Sequence, residues 1–205
     1  MGRFGCFDHR PGPSYEGGSL HGIGGLLEHE PYKAVTLSVD GQRLATGMVR
    51  RHRLLETYLV ERLGLSWDEV HAEAEILEHA VSDRLLEALD EALEHPVRDP
   101  HGDPIPAADG RVVQPELRSI DNLRVGQTAV VGRIKDCPRT LRHLALAGIG
   151  LDTSVTVTDR GTMSAVVPGE KRREATLVCA VRAAGDPSSE RADAVVPVGH
   201  LWVLA

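Results

Sequence analysis

Two histidine–glutamate pairs stand four residues apart in this chain, His52 with Glu56 and His71 with Glu75, and Glu78 and His79 extend the second pair by a further turn. Residues four apart on a helix project from the same side. At about 100° per residue, His71, Glu75, Glu78 and His79 fall within an arc of roughly 100°. Carboxylates crowded in this way repel one another unless a cation neutralises them, and imidazole nitrogens add borderline ligands. The chemistry favoured by this set is ligation of a divalent transition ion. Oxygen-rich, sulfur-free donors suit Mn2+ or Fe2+, and binding through neutral imidazoles would depend on pH. The ordinary alternative is a solvated charged helix face, and the recurrence of His-x-x-x-Glu in two successive helices weighs against it.

Other chemistries find no support. The His-Glu-x-x-His spacing of a zinc protease and the Gly-x-Ser-x-Gly elbow of a hydrolase do not occur. Gly22-Ile-Gly-Gly25 has the wrong spacing for a dinucleotide fingerprint. No open coordination position or substrate cleft is signalled, so an enzyme is not expected.

The elements that must position the ligands follow from periodicity. Residues 1–25 are rich in Gly, Pro and Ser and read as loop or disordered chain. Between Leu26 and Ser38, two short apolar runs flank a polar turn containing Lys33, which predicts a small hairpin. A long helix is expected over roughly Gly41–Leu63, with Leu44, Met48, Leu55 and Leu59 on one stripe and Gly64 ending it. Ser66-Trp-Asp-Glu69 has the form of a capping box opening a second helix, with Val70, Ala74, Leu77 and Val81 as its apolar stripe. The core stripe of this helix lies about 120° from the His/carboxylate arc. The short Gly64-Leu65 connection folds the second helix back on the first, bringing His52 and Glu56 beside His71 and Glu75.

A third helix, about Ser82–Leu93, is stopped by Pro96. Asp99–Pro106 is neither helix nor central strand and continues through Asp109-Gly110 as a linker. Beyond Ile120, strands are expected at Thr128–Lys135, Ser154–Asp159, Ser164–Val167, Ala175–Arg182 and Ala194–Val198, with a short helix at about Arg139–Ala147. So many short strands suggest a small barrel.

Composition sets the outer limits. With 41% hydrophobic and 26% charged residues, the chain reads as globular; aromatics at 3% argue against base-stacking platforms. The net charge of -7 gives no overall pull toward DNA, so nucleic-acid contact would need a local patch, of which Arg50, Arg51, His52 and Arg53 are the densest candidate, with Lys33 on the hairpin as a further phosphate contact. A solvated helix face is the competing reading for those arginines. Cys6, Cys137 and Cys179 form no Cys-x-x-Cys pair and suit a reducing compartment. No membrane span or secretory signal is legible, which makes the cytoplasm the default location.

Taken together, Arg50-Arg-His-Arg-Leu-Leu-Glu56, Trp67-Asp-Glu-Val-His71, Glu75-Ile-Leu-Glu-His79 and Pro100-His-Gly-Asp-Pro-Ile-Pro106 resemble the diphtheria toxin repressor and manganese transport regulator family of metal-dependent transcriptional repressors. The likeness covers about residues 26–106, and the part after Ile120 resembles, more weakly, the SH3-like (FeoA-like) barrel of longer members. It implies an α+β fold: the wing remnant of a winged helix-turn-helix over 26–40, an all-α metal-binding and dimerisation domain over 41–106, a linker over 107–119, and a small C-terminal SH3-like β-barrel over 120–205. It assigns His52, Glu56 and His71 to one metal site and Glu75, Glu78 and His79 to the regulatory other. Manganese-sensing members carry a glutamate where iron-sensing members carry a cysteine, so Glu75 tips the metal toward Mn2+. The family's additional carboxylate and amide ligands would fall near Cys137 and Thr140, which are poor donors for the purpose.

Members of that family have more chain before the hairpin, and residues 1–25 resemble none of it, so an incomplete helix-turn-helix is expected. Two functions follow. One is a homodimeric repressor of metal-uptake genes that binds double-stranded operator DNA when loaded with Mn2+ or Fe2+. The other is a metal-binding dimerisation protein that has lost DNA binding.

Overall fold

The computed structural model describes residues 25–28, 32, 34–163, 176–183 and 194–205. Lys33, the segment before Gly25 and the expected strand Ser164–Val167 lie outside these residues. The chain divides into two compact units, Met1–Ala45 and Thr46–Ala205.

In the first unit, β1 (Leu27–Glu28) pairs antiparallel with β2 (Thr36–Leu37), the hairpin read from the two apolar runs. Ser38 closes it, its N–H bonded to the Leu26 carbonyl at 2.9 Å and its hydroxyl to Gly25 O at 2.7 Å. Gly41 is required beside it: a Cβ there would collide with the Leu26 carbonyl.

Helix α1 spans Val39–Glu61. Its buried apolar side chains lie in the C-terminal half, where Leu54, Leu55 and Leu59 are at most 7% exposed. Leu44, expected on that stripe, is 55% exposed. The helix ends as Gly64 enters the left-handed region at φ +73, where few other residues sit without strain. The Gly64 and Leu65 N–H groups then bond the carbonyls of Val60 and Leu59 at 3.1 and 3.0 Å.

The expected capping box does not form. The Ser66 hydroxyl donates to the Asp68 carboxylate, a charged acceptor two residues away, and Glu69 at the start of α2 (Val70–Leu77) makes no side-chain cap. The Ser66 carbonyl instead accepts from Glu69 and Val70 N–H, both at 3.0 Å. Helix α3 (Asp83–Ala92) is capped by Ser82, whose hydroxyl accepts from Leu85 N–H at 3.3 Å. The helices share two small aliphatic clusters: Leu54, Leu86, Leu93 and Ile105 in one, Leu55, Ala74 and Leu89 in the other.

The segment Asp99–Pro106 is no linker. Asp99, His101 and Ile105 are buried, and one Asp99 carboxylate oxygen accepts from His101 N–H and Asp103 N–H at 2.9 and 3.0 Å. Satisfying those amides internally is what lets a Pro/Gly-rich loop be buried. Gly102, at φ +89, seats it against the sheet; a Cβ there would meet Gly132 O and the Arg133 Cα.

The rest is one six-stranded antiparallel sheet: β3 (Leu117–Ser119), β4 (Thr128–Ile134), β5 (Ser154–Met163), β6 (Thr176–Ala183), β7 (Ala194–Pro197) and β8 (Leu201–Leu204), in the order β3-β8-β4-β5-β6-β7. Strand β4 is shared, giving Thr128–Val130 to β5 and Val131–Ile134 to β8, with an irregularity between Val131 and Arg133. A local register shift of this kind bends a strand. Among the described residues no pairing joins β3 to β7, so the sheet is not a closed barrel. Helix α4 (Pro138–Leu146) follows β4. The core beneath is aliphatic, as the composition requires, and Trp67 from the start of the α2 segment packs against it. Among the described residues no helix is long and apolar enough to cross a membrane.

Candidate metal centre

The turn at Gly64 places α2 against α1, and His52, Glu56 and His71 converge. His52 Nε2 lies 2.9 Å from Glu56 Oε1 and 3.0 Å from His71 Nδ1, and His71 Nδ1 lies 3.1 Å from Glu56 Oε1. Three donors in a near-equilateral triangle match one face of an octahedron, since an ion with bonds of about 2.1–2.2 Å has cis donors about 3.0 Å apart. The residues therefore fit a small octahedral divalent ion.

The remaining nitrogens of both histidines face carboxylates. His52 Nδ1 is 2.7 Å from Glu78 Oε2, and His71 Nε2 is 3.4 Å from Glu75 Oε1. This orientation leaves His52 Nε2 and His71 Nδ1 pointing at the triangle, the arrangement that fixes a ligand's tautomer and ring plane. Glu75 and His79 are largely exposed, with His79 Nε2 3.4 Å from Glu78 Oε1. Among the described residues, the groups of three or more donors lying within 4.8 Å of one another are His52–Glu56–His71 and Glu56–His101–Asp136; Glu75, Glu78 and His79 do not form one.

Two members of these groups escaped the reading of the sequence. Asp136, on the turn between β4 and α4, brings Oδ2 to 3.2 Å from His71 Nδ1. His101, in the buried loop, brings Nδ1 to 3.8 Å from Glu56 Oε2. Asp136 directly precedes Cys137, one of the two positions to which the family resemblance pointed, and a search for a hard oxygen donor one residue either side would have found it. Thr140, the other, bonds His200 Nδ1 at 2.8 Å.

The protonation states follow the geometry. Burial works to raise the Glu56 carboxyl, but hydrogen bonds from His52 and His71 outweigh it and hold the group at about 2. His71 is raised to about 9, chiefly by its hydrogen bond to Glu56, with Asp136 and Glu75 adding to it against desolvation. Burial lowers His52, yet Glu56 and Glu78 together more than reverse this, and the net direction is upward. Without an ion the cluster is thus held together by protons, which an incoming cation would displace.

The three arginines read as phosphate contacts are engaged within the molecule. Arg50 bonds Pro106 O and Asp90, each at 2.8 Å; Arg51 bonds Val81 O and Asp83; Arg53 bonds Pro104 O and lies 3.5 Å from Asp99 and 3.7 Å from Asp103.

Residues 38–107 match a family model described as "Iron dependent repressor, metal binding and dimerisation domain". The chain is 30% identical over 162 residues to the iron-dependent repressor IdeR of Mycobacterium leprae, covering 72% of this chain and 70% of that protein. It is 37% identical over 107 residues to the diphtheria toxin repressor of Corynebacterium jeikeium, covering 49% and 45%. Among solved structures it is similar to a manganese-dependent transcriptional repressor in complex with manganese, at TM-score 0.66 and 45% identity, over 88% of this chain and 78% of that one.

Proposed function

The chain belongs to the diphtheria toxin repressor and manganese transport regulator family of metal-dependent transcriptional repressors, and from that premise we propose that it is a homodimeric, cytoplasmic regulator that represses metal-uptake genes on operator DNA when loaded with Mn2+ or Fe2+. The observation that carries this is the triangle of His52, Glu56 and His71 donors, whose edges of 2.9–3.1 Å suit an octahedral ion of that kind. Its nitrogen and carboxylate donors, free of thiolate, fit the metals named for its relatives, and Glu75 in place of a cysteine favours manganese. When bound, the ion supplies positive charge that ties α1 to α2.

The protein's own residues do the rest. Glu78 and Glu75 orient the two imidazoles, and Asp136 extends the donor set from the turn after β4. Family resemblance assigns Glu75, Glu78 and His79 to the second, regulatory position. In this reading the Leu27–Leu37 hairpin is the wing of a winged helix and the six-stranded sheet is an SH3-like module. Exposed Ile76, Leu85 and Val97 offer apolar surface for a partner subunit.

A second reading, metal-binding and dimerisation without DNA contact, is favoured by the internal engagement of Arg50, Arg51 and Arg53. Electrophoretic retention of promoter fragments from metal-uptake genes separates the two. Repression predicts a shift with Mn2+ that chelator abolishes, and dimers that form with Mn2+ but retain no DNA would select the second reading.

A further inference from the structure

We infer that Glu56, His101 and Asp136 form an inner cation position sharing its carboxylates with the His52–Glu56–His71 triangle, so that the centre holds a carboxylate-bridged pair of divalent ions. The inference rests on the reading that the triangle holds the first.

Each carboxylate divides its oxygens between the two positions. Glu56 turns Oε1 to His52 and His71, and Oε2 to His101 Nδ1 at 3.8 Å. Asp136 turns Oδ2 to His71, and Oδ1 toward the His101 ring, 4.0 Å from Nε2. These separations are too long for hydrogen bonds. Donors of a single octahedral ion lie between about 3.0 Å (cis) and about 4.3 Å (trans) apart, and the separation of Glu56 Oε2 from His101 Nδ1 falls within that range.

His101 is prepared for the role. Its side chain is 2% exposed, and Nε2 donates to the Trp67 carbonyl at 2.8 Å. That bond places the proton on Nε2 and leaves the Nδ1 lone pair toward Glu56, the pattern in which a ligating histidine spends its second nitrogen on a carbonyl. The ring is further fixed by Trp67, stacked at 6.4 Å between centroids.

Charge points the same way. Glu56 and Asp136 bring two carboxylates against the buried His101 ring. Arg53, a nearby cation, is already paired with Asp99 and Asp103. Paired ions bridged by carboxylates sit about 3.5–4 Å apart in proteins, close enough for Mn2+ spins to couple.

The test titrates the metal-free full-length chain with Mn2+, following stoichiometry by calorimetry and spin coupling by electron paramagnetic resonance. The native chain is expected to show a coupled signal. His101→Phe, and His101→Gln as the variant that keeps a donor for the Trp67 carbonyl, should each take up one ion fewer per chain and lose the coupling, with circular dichroism unchanged. Unchanged stoichiometry and coupling in a folded His101 variant overturns the inner position. For the native protein, anomalous scattering from crystals saturated with Mn2+ should show a peak among Glu56, His101 and Asp136, and a peak at the triangle alone overturns the pair. A native chain that takes up no Mn2+ would overturn the proposed function itself.

Discussion

His52 and Glu78 meet across two helices: the imidazole Nδ1 of one lies 2.7 Å from the carboxylate of the other, while the opposite ring nitrogen lies 2.9 Å from Glu56. Glu78, on the residue that closes α2, therefore sets which His52 nitrogen is offered to an ion. Glu78→Gln keeps a hydrogen-bond partner but removes the charge that makes the ring a stronger base. Its Mn2+ affinity, measured by calorimetry, should fall by about 10–100-fold, and native affinity in the variant would remove Glu78 from the centre.

Acidity gives a second prediction. His71 in the folded metal-free chain is raised to about 9, chiefly by Glu56, from an ordinary 6.5. A raised histidine stabilises the fold fully below 6.5 and loses that contribution as pH climbs through 9. Metal-free protein should thus become less heat-stable from pH 6.5 to 9, while affinity for Mn2+ rises over the same window because fewer protons must leave. Calorimetry in buffers of different ionisation enthalpy reads the released protons directly, and a pH-independent affinity would contradict it.

Metal removal should be visible in stability. An ion that binds only the folded chain adds about 2.7 kcal/mol when free Mn2+ is 100 times its Kd. Chelator should lower the melting temperature of the Mn2+-loaded protein correspondingly, and Glu56→Ala should shrink the difference.

The loop carrying His101 makes the fourth prediction. Gly102→Ala forces a Cβ onto Gly132 O and the Arg133 Cα at φ +89. Left-handed strain alone costs about 1–3 kcal/mol, and the collision adds to it. Chemical denaturation should show a loss of at least that size, whereas Ser82→Ala, which removes one helix cap, should cost about 1 kcal/mol.

What the sequence made legible was local. The i,i+4 spacing put His52 with Glu56 and His71 with Glu75, Gly64 marked the turn, and the apolar stripe of α2 was readable because helical periodicity repeats within a dozen residues. His101 and Asp136 were not legible as part of the centre, since they reach it through contacts 45 and 65 residues away that no local pattern encodes. Strands β3 and β8 are only three and four residues long, too short to announce themselves by alternation. Ser66 misled because Asp68, inside the apparent box, captured its hydroxyl. The stripe on α1 held for Leu55 and Leu59 but not Leu44, because the helix buries its apolar side chains only in its second half.

Ile134 N–H donates to the His101 carbonyl at 2.8 Å, two residues before Asp136. One backbone bond therefore sets how far the loop's ring stands from the turn's carboxylate, and the ring and carboxylate travel as a unit. For anyone building chimeras, the helical segment is not a portable cassette: exchanging the sheet, or cutting after residue 107, would discard the Asp136 carboxylate and the backbone bond that seats the His101 loop. A graft that preserves metal response should carry residues 99–136 from one parent.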